Sequence, residues 1–130
     1  GDVYCWGSAQ FGEIGSGNTS DVLLPPESPV PLGGRALQIV AGSDHCCALL
    51  ESHQVKCWGR GKFGRLGSGS GANVGDTPGS MPPPAVRVIE PSSDARVLAL
   101  AAGGTHTCAR YSDGSVRCWG EGWYGALGYE

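Results

Sequence analysis

One motif occurs three times along the chain, and it constrains the fold more than any other feature of the sequence. The pattern is V-x-C-W-G-x3-[FY]-G-x-[IL]-G, and its copies begin at Val3, Val55 and Val116. A second motif, A-G-x-x-H-x-C-A, precedes two of the copies and begins at Ala41 and Ala102. Both motifs advance by 61 residues between the last two copies, whereas the first step of the longer motif is 52 residues. Repeats of this length indicate structural units that each pack on the next one.

Each repeat contains short apolar segments separated by tight turns, which predicts antiparallel strands. We predict strands at 37–40, 45–49 and 55–59, with counterparts at 97–100, 106–110 and 116–120. Asp113-Gly114 is typical of a hairpin turn, because glycine accepts a positive φ. Fourth strands are predicted at 86–89 and at 29–32. Four short strands in about 50 residues are typical of one blade of an all-β propeller.

The order of these motifs resembles the regulator-of-chromosome-condensation repeat: A-G-x-x-H-x-C-A, an Asp-Gly turn, V-x-C-W-G and then G-x-[IL]-G. The resemblance covers nearly the whole chain and implies an all-β, seven-bladed β-propeller, of which about two and a half repeats are present. We expect the second half of one repeat at 1–33, a complete repeat at 34–91 and most of a further repeat at 92–130. The cysteine-rich form of the motif resembles secreted or cell-surface members of the family.

Charge and hydropathy argue against two classes of partner. The net charge is −3, and the nine Lys and Arg residues are scattered, so no basic cluster is present to neutralise phosphates. The apolar runs are far shorter than the roughly 20 residues that span a bilayer. We therefore expect neither nucleic-acid binding nor membrane insertion.

Four of the six cysteines are predicted to form two disulfides, each within one hairpin. Cys47 and Cys57 flank a predicted turn at equal distances, and Cys108 and Cys118 do the same. Opposite residues in a hairpin have Cβ atoms about 4.5–5.5 Å apart, so a small adjustment would allow the bond. Such bonds would indicate an oxidising compartment. The alternative is that these cysteines are reduced, buried thiols of an intracellular propeller.

The other two cysteines have no predicted partner within the chain. Cys5 would pair with a cysteine upstream of Gly1, and Cys46 occupies the place that Thr107 has in the following repeat. Gly1 aligns with the hairpin glycine Gly114, so we expect the chain to be a fragment of a longer protein. Open strand edges would then favour self-association.

His45 and His106 each lie two residues before a cysteine, on the same face of a predicted strand. A Cys/His nucleophile would also need an orienting group and an oxyanion site, and structural zinc sites usually have C-x2–4-C spacing. Because the pair recurs in each repeat, we predict a structural role for both histidines. No catalytic residue, metal ligand or cofactor is predicted.

Trp6, Trp58 and Trp119 recur in register and are predicted to pack between blades. Gly59 and Gly120 follow the last two of these tryptophans and are predicted to have a structural role at a sharp turn. No helix and no Lys-Ser/Thr pair follow the glycines, which excludes a phosphate-binding P-loop.

Trp123 does not recur, because Gln10 and Lys62 occupy its place in the other copies, and we predict that it contacts a partner. Asn18 begins an N-glycosylation sequon in a predicted loop, which would matter in a secreted eukaryotic protein.

The sequence as a whole predicts a non-enzymatic propeller that acts as a scaffold or binding module for proteins. The contacts are expected on the loops at 16–32 and 68–84, because loops vary in length and carry function on a repeated scaffold. The alternative is part of a guanine-nucleotide exchange factor for a small GTPase, the activity of the founding member of the family. The predicted location is extracellular, periplasmic or at the cell surface, with an intracellular location as the alternative.

Overall fold

The computed structural model describes residues 1–86 and 94–128. Its regular structure consists of two antiparallel sheets of three strands each, with strand order β1-β2-β3 and β4-β5-β6. The first sheet contains β1 (Ala36–Ala41), β2 (His45–Leu50) and β3 (Val55–Gly59), and the second contains β4 (Val97–Ala102), β5 (His106–Tyr111) and β6 (Val116–Gly120). A short 3-10 turn follows each sheet, at Lys62–Gly64 and at Trp123–Gly125.

The six strands agree with the six central strands predicted from the repeat, apart from one or two residues at some ends. The predicted strand at 29–32 is not formed, because Pro29 and Pro31 have no N–H group to donate to a neighbouring strand. One contact of that kind remains, a hydrogen bond of 2.7 Å from Val30 N to Val3 O. Val86 N donates in the same way to Val55 O at 2.8 Å, and residues 87–89 of the other predicted fourth strand lie outside the described residues.

The first sheet is covered on both faces, because successive side chains of a strand point to opposite sides. Cys47 and Leu49 pack against the second sheet, whereas Ala48 and Leu50 pack against the chain before β1. The first core contains Cys47, Leu49, Val55, Cys57, Leu66, Val97, Leu100, Ala109 and Tyr111. The second contains Val3, Val30, Leu32, Ala48, Leu50 and Trp58. Consecutive repeats therefore pack face to face.

Polar contacts join the two sheets along one edge. The Gln38 amide donates to Leu100 O at 3.0 Å and accepts from Leu100 N at 2.8 Å, so one side chain acts as a bridge between β1 and β4. Ser43 N donates to Gly104 O at 3.1 Å where the turns after these strands meet. These bonds fix the position of one repeat along the other, which apolar packing alone does not do.

Two disulfides lie within the hairpins, Cys47–Cys57 in β2-β3 and Cys108–Cys118 in β5-β6, and these are the two pairs predicted from the sequence. Each pair is directly opposite in the strand register. The Cα atoms are 4.1 Å apart in both pairs, the close spacing of opposite residues that share no hydrogen bond.

The glycine of each C-W-G motif has a backbone conformation that other residues rarely adopt. Gly59 has φ +103° and Gly120 has φ +115°. A Cβ atom at either position would also lie 2.5 Å from a backbone oxygen, that of Asp44 or of Thr105. The second and third motifs therefore require glycine both for its φ angle and for the close approach of the preceding turn.

Candidate functional site

Two long loops connect the repeated elements, and each is anchored to its repeat by an equivalent pair of contacts. In the first loop (16–32), the Asp21 carboxylate accepts from Ala9 N at 3.0 Å and Val22 pairs with Gly7. In the second loop (68–84), the Asn73 side chain accepts from Gly61 N at 3.0 Å and Val74 pairs with Gly59. The two anchors lie 52 residues apart in the sequence, the same distance as between the first two C-W-G motifs. The repeat thus extends to a [DN]-V pair that the sequence analysis missed, although the constant offset makes it detectable.

The two loops meet beyond their anchors. Gly17 N of the first loop donates to Gly75 O of the second at 2.9 Å. Asn73 also donates to the Asp76 carboxylate at 3.2 Å, and Ser80 donates to Thr77 O and accepts from Gly75 N. These local bonds hold the second loop in one conformation, so it forms a defined wall beside the first.

A groove of about 730 Å³ lies between the loops. Most of its wall is apolar, with a high content of proline, and none of the lining residues in the described part of the chain is charged. The apolar lining is formed by Ile14, Val22, Pro26, Pro29, Val30, Pro31, Pro78 and Met81. Ser16, Asn18 and Ser28 contribute the polar side chains at its edge. This surface can exclude water from an apolar partner and offers a few hydrogen bonds to orient it.

Leu23 and Leu24 lie on the first loop between the groove residues Val22 and Pro26. Their side chains are 86% and 75% exposed, which makes them the most exposed large aliphatic residues in the described part of the chain. Asn18, the first residue of the sequon, is also exposed on this loop, and its side chain accepts from Ser20 N at 2.9 Å. The first loop therefore presents apolar side chains next to the groove.

His45 belongs to a buried hydrogen-bonded bridge between the repeats. Its Nε2 atom lies 2.9 Å from the Thr107 hydroxyl, and that hydroxyl donates to Arg65 O at 3.0 Å. Because the hydroxyl has one proton, the histidine ring must donate from Nε2. Burial, together with the charges of Arg65 and His106, lowers the pKa of His45 to about 4, so the ring is neutral near pH 7.

This arrangement has the features of a structural bridge. The Nδ1 atom of His45 is buried and has no hydrogen-bond partner within residues 1–86 and 94–128. Cys47, the nearest sulfur on the same strand face, is bonded to Cys57 and is not a free nucleophile or thiolate ligand. A Cβ atom on Gly42 would lie 2.3 Å from the His45 ring, and one on Gly103 would lie 2.2 Å from the His106 ring. The glycine of A-G-x-x-H thus leaves room for the imidazole.

A charged cluster lies beside the bridge. Arg65 is 2% exposed, and its guanidinium lies 3.8 Å from the Asp44 carboxylate, which also contacts Arg60 at 3.3 Å. Burial lowers the pKa of Arg65, the proximity of Arg60 lowers it further, and Asp44 opposes both effects. Arg60 in turn lies over the Phe11 ring at 4.3 Å from its centroid. The cluster connects the loop after one C-W-G motif to the loop after the next.

Comparison with known families matches the model of the regulator of chromosome condensation (RCC1) repeat to residues 1–49 and 52–110. A second model of the same repeat matches residues 37–65 and 97–125. The chain belongs to the RCC1 repeat family.

Two RCC1-repeat relatives align with almost the whole chain. The ultraviolet-B receptor UVR8 of Arabidopsis thaliana is 39% identical over 98% of the chain, which corresponds to 27% of the receptor. The human E3 ubiquitin-protein ligase HERC2 is 33% identical over 99% of the chain, which corresponds to 2% of that protein. The crystal structure of Prp20p from Saccharomyces cerevisiae superposes with a TM-score of 0.74 at 28% identity, covering 92% of the chain and 28% of Prp20p. The sheets are thus blades of an RCC1-type β-propeller, and the chain spans about a quarter or less of these relatives.

The repeated tryptophans have different environments in the RCC1 repeats. Trp58 is fully buried between repeats, and its Nε1 donates to Glu13 O at 2.9 Å. Trp119 is half-buried against the core between the sheets, and its Nε1 has no acceptor in the described part of the chain. Trp6 is 54% exposed. Packing between repeats therefore describes Trp58 and Trp119 in the described part of the chain, and the same role for Trp6 stays a prediction.

Trp123, predicted to contact a partner, is 68% exposed. Its ring centroid lies 6.4 Å from that of Tyr124, whose side chain is fully exposed. Neither residue lines the groove between the loops, so Trp123 is a second exposed apolar site at a distance from Leu23 and Leu24 in the sequence.

Cys5 and Cys46, which were expected to have no partner in this chain, are the two cysteines that form no disulfide in the structure. Both are partly buried, pack against the same core and line one small cavity. The Cys46 thiol is the main cause of the lowered pKa of Cys5, and the Cys5 thiol is the main cause of the raised pKa of Cys46. The pairing of Cys5 with a cysteine upstream of Gly1 stays a prediction.

Residues 1–86 and 94–128 contain no cluster of three or more His, Cys, Asp and Glu side chains suited to a metal ion. In the same residues, no helix has the length and apolar character needed to cross a membrane.

Proposed function

We propose that this chain is part of a non-enzymatic RCC1-type propeller that binds a protein partner in the groove between the first and second loops. The observation that carries the proposal is the pair Leu23 and Leu24, exposed by 86% and 75% beside an uncharged, apolar groove. Exposed apolar side chains next to a concave apolar surface are typical of interaction sites.

The lining of the groove indicates the chemistry of its occupant. Since no lining residue within 1–86 and 94–128 is charged, the groove favours an extended peptide segment with apolar side chains over a charged or phosphorylated one. The net charge of −3 and the scattered basic residues also disfavour nucleic acid. Prp20p has been characterised for its binding to Gsp1p and to histones, both proteins, which supports a protein as the class of partner.

Substitution of the two leucines tests this function. Proteins retained by the immobilised wild-type chain are compared with those retained by a Leu23→Ser/Leu24→Ser variant and by a Leu37→Ser control. Leu37 is also exposed, by 60%, but it lies on β1, whereas Leu23 and Leu24 lie on the first loop between two groove-lining residues. The purified partner is then titrated against all three chains.

We expect the double variant to bind the partner at least about tenfold more weakly, because the partner can no longer bury two leucine side chains. The Leu37 variant should bind like the wild type. An equal dissociation constant for the double variant and the wild type would contradict the groove as the binding site.

Guanine-nucleotide exchange on a small GTPase is the second candidate function, supported by the likeness to Prp20p and its described binding to Gsp1p. The release rate of a fluorescent guanine nucleotide from Gsp1p, the protein named with Prp20p, distinguishes the two functions. Acceleration by the wild-type chain would favour exchange, whereas an unchanged rate would leave binding as the function.

An oxidising location, extracellular, periplasmic or at the cell surface, is part of the same proposal. Two disulfides within hairpins support it, because such bonds persist in oxidising compartments. The intracellular alternative is supported by the relationship to Prp20p, since histones are intracellular proteins. Alkylation of free thiols in intact cells before lysis decides between the two locations. If Cys47 and Cys57 are protected from alkylation by their disulfide, the oxidising location is favoured, and if both are alkylated, the intracellular location is favoured.

A further inference from the structure

The sequon Asn18-Thr19-Ser20 lies on the first loop, and Asn18 contributes to the edge of the groove. All three residues are exposed. An N-linked glycan is bulky and polar, so a folded chain can carry one only on an asparagine that faces solvent. The middle residue of the sequon is also compatible, because only proline is excluded there. The place of this sequon in the fold therefore meets the steric requirement for the modification.

The hydrogen bonds of the loop occupy the oxygen of the Asn18 amide and leave its nitrogen available. Oδ1 accepts from Ser20 N at 2.9 Å, as in an Asx turn. Nδ2, the atom that would bond to a sugar, donates to no acceptor within residues 1–86 and 94–128. The Ser20 hydroxyl, which completes the sequon, makes no hydrogen bond in the same part of the chain. Both groups that define the sequon are therefore accessible.

Asn73, the other asparagine of the chain, provides an internal comparison. Its side chain accepts from Gly61 N at 3.0 Å and donates to the Asp76 carboxylate at 3.2 Å, so both ends of its amide are bonded. Asn73 is half-buried, and a glycine stands two positions after it, where a sequon requires serine or threonine. In the first loop, by contrast, Asp21 forms the anchor and Asn18 takes no part in it. A change at the Asn18 side chain therefore removes no contact that anchors the loop.

We propose that Asn18 is an N-glycosylation site, which places a bulky polar group at the edge of the groove. The inference rests on the oxidising location in the proposed function, because sequons of this kind are modified in secreted proteins. It does not depend on the identity of the partner that occupies the groove.

The donor of the glycan is an oligosaccharide linked to a polyprenol through a pyrophosphate, and a transferase of the secretory pathway catalyses the reaction. Nδ2 of Asn18 attacks the first carbon of the sugar. The C–N bond forms while the C–O bond to the pyrophosphate breaks, and the polyprenyl pyrophosphate leaves. The proton that Nδ2 loses passes to a base of the transferase.

Peptide mapping of the protein purified from its own cells tests the proposal. The protein is alkylated without reduction, treated with peptide N-glycosidase in heavy-oxygen water, and digested for mass spectrometry. The glycosidase converts an asparagine that bears a glycan into an aspartate that contains the heavy oxygen. We expect this label at Asn18 and none at Asn73.

Two substitutions at Ser20, expressed in the same cells, form a matched pair. Ser20→Ala removes the hydroxyl but keeps the backbone N–H that bonds to Asn18, so the turn is retained while the glycan should be lost. Ser20→Thr keeps a hydroxyl and should keep the glycan. Because the Ser20 side chain is exposed, both variants should fold like the wild type.

The alkylation in the same sample separates failure of this proposal from failure of the proposed location. An unlabelled Asn18 in a protein whose Cys47 and Cys57 are protected by their disulfide would overturn the glycosylation and leave the oxidising location in place. An unlabelled Asn18 together with alkylated Cys47 and Cys57 would overturn both. A label at Asn18 that persists in the Ser20→Ala variant would show that the sequon does not direct the modification, and would also overturn the proposal.

Discussion

Replacing Thr107 with valine removes one hydroxyl and leaves the shape of the side chain almost unchanged. That hydroxyl accepts from His45 Nε2 at 2.9 Å and donates to Arg65 O at 3.0 Å, and Thr107 is fully buried. In the variant, the His45 ring retains an N–H group that has no acceptor, whichever nitrogen carries the proton, because Nδ1 is also buried without a partner in the described residues. Arg65 O loses its donor at the same time.

The expected loss of stability follows from these two groups. A buried polar group left without a partner costs about 1–3 kcal/mol, so two such groups cost roughly 2–6 kcal/mol. The methyl group gained in valine offsets about 1 kcal/mol through burial. We therefore expect the free energy of unfolding to fall by roughly 3 kcal/mol.

Urea unfolding at pH 7, followed by tryptophan fluorescence, measures the difference. With a slope of about 2 kcal/mol per molar urea, the unfolding midpoint should fall by about 1.5 M. Thr105→Val is the matched control, because Thr105 lies two residues away, is partly exposed and makes no side-chain hydrogen bond within the described part of the chain. The free energy of unfolding of this control variant should change by less than about 0.5 kcal/mol.

A Thr107→Val variant as stable as the control variant would refute a stabilising role for the Thr107 hydroxyl. The ring of His45 provides a second measurement, since nitrogen chemical shifts distinguish the two neutral forms of imidazole. The wild type should carry its proton on Nε2, and a proton on Nδ1 would show that the hydroxyl does not accept from the ring.

Three further predictions concern the contacts around this bridge. The folded-state pKa of His45 is about 4 and its unfolded value is 6.5, so the folded protein binds a proton at this ring less readily than the unfolded chain does. Roughly 3 kcal/mol of the free energy of unfolding should therefore be lost as the pH falls from 6.5 to 4. In the His45→Gln variant, the free energy of unfolding should depend less on pH over this range. Gly42→Ala places a Cβ atom 2.3 Å from the His45 ring and 2.5 Å from a backbone oxygen, so it should cost about 1–3 kcal/mol in urea unfolding, whereas Gly104→Ala, with 3.1 Å to one side-chain oxygen, should cost clearly less. Trp58→Phe should lower the melting temperature more than Trp119→Phe, because Trp58 alone of the two donates from Nε1 to a backbone oxygen among the described residues.

The strands and the hairpin disulfides could be predicted because they depend on local order within a repeat. Equal distance from a turn determines which residues are opposite, so Cys47 and Cys57 could be paired from the sequence. The predicted strand at 29–32 failed where local chemistry overrode the repeat, since two prolines remove the donors that a ladder needs.

The groove and the cavity lined by Cys5 and Cys46 depend on how repeats face each other, which strand patterns within one repeat do not specify. Strand alternation places His45 and Cys47 on one face and Cys46 on the other, so Cys46 points toward the preceding repeat. The groove required the three-dimensional paths of both loops, because the residues that line it are far apart in the sequence.

The side chain at one position of the repeat differs between the two boundaries, and so does the donor to the neighbouring backbone carbonyl. At the second boundary, Thr107 donates to Arg65 O, and the indole of Trp119 has no acceptor within the described residues. At the first boundary the same position is Cys46, and the equivalent carbonyl, that of Glu13, accepts from Trp58 instead. The carbonyl has a donor in both cases, so exchange of threonine for cysteine does not leave it unpaired. Because tryptophan supplies the donor there, a cysteine can occupy this position without leaving a buried carbonyl unpaired.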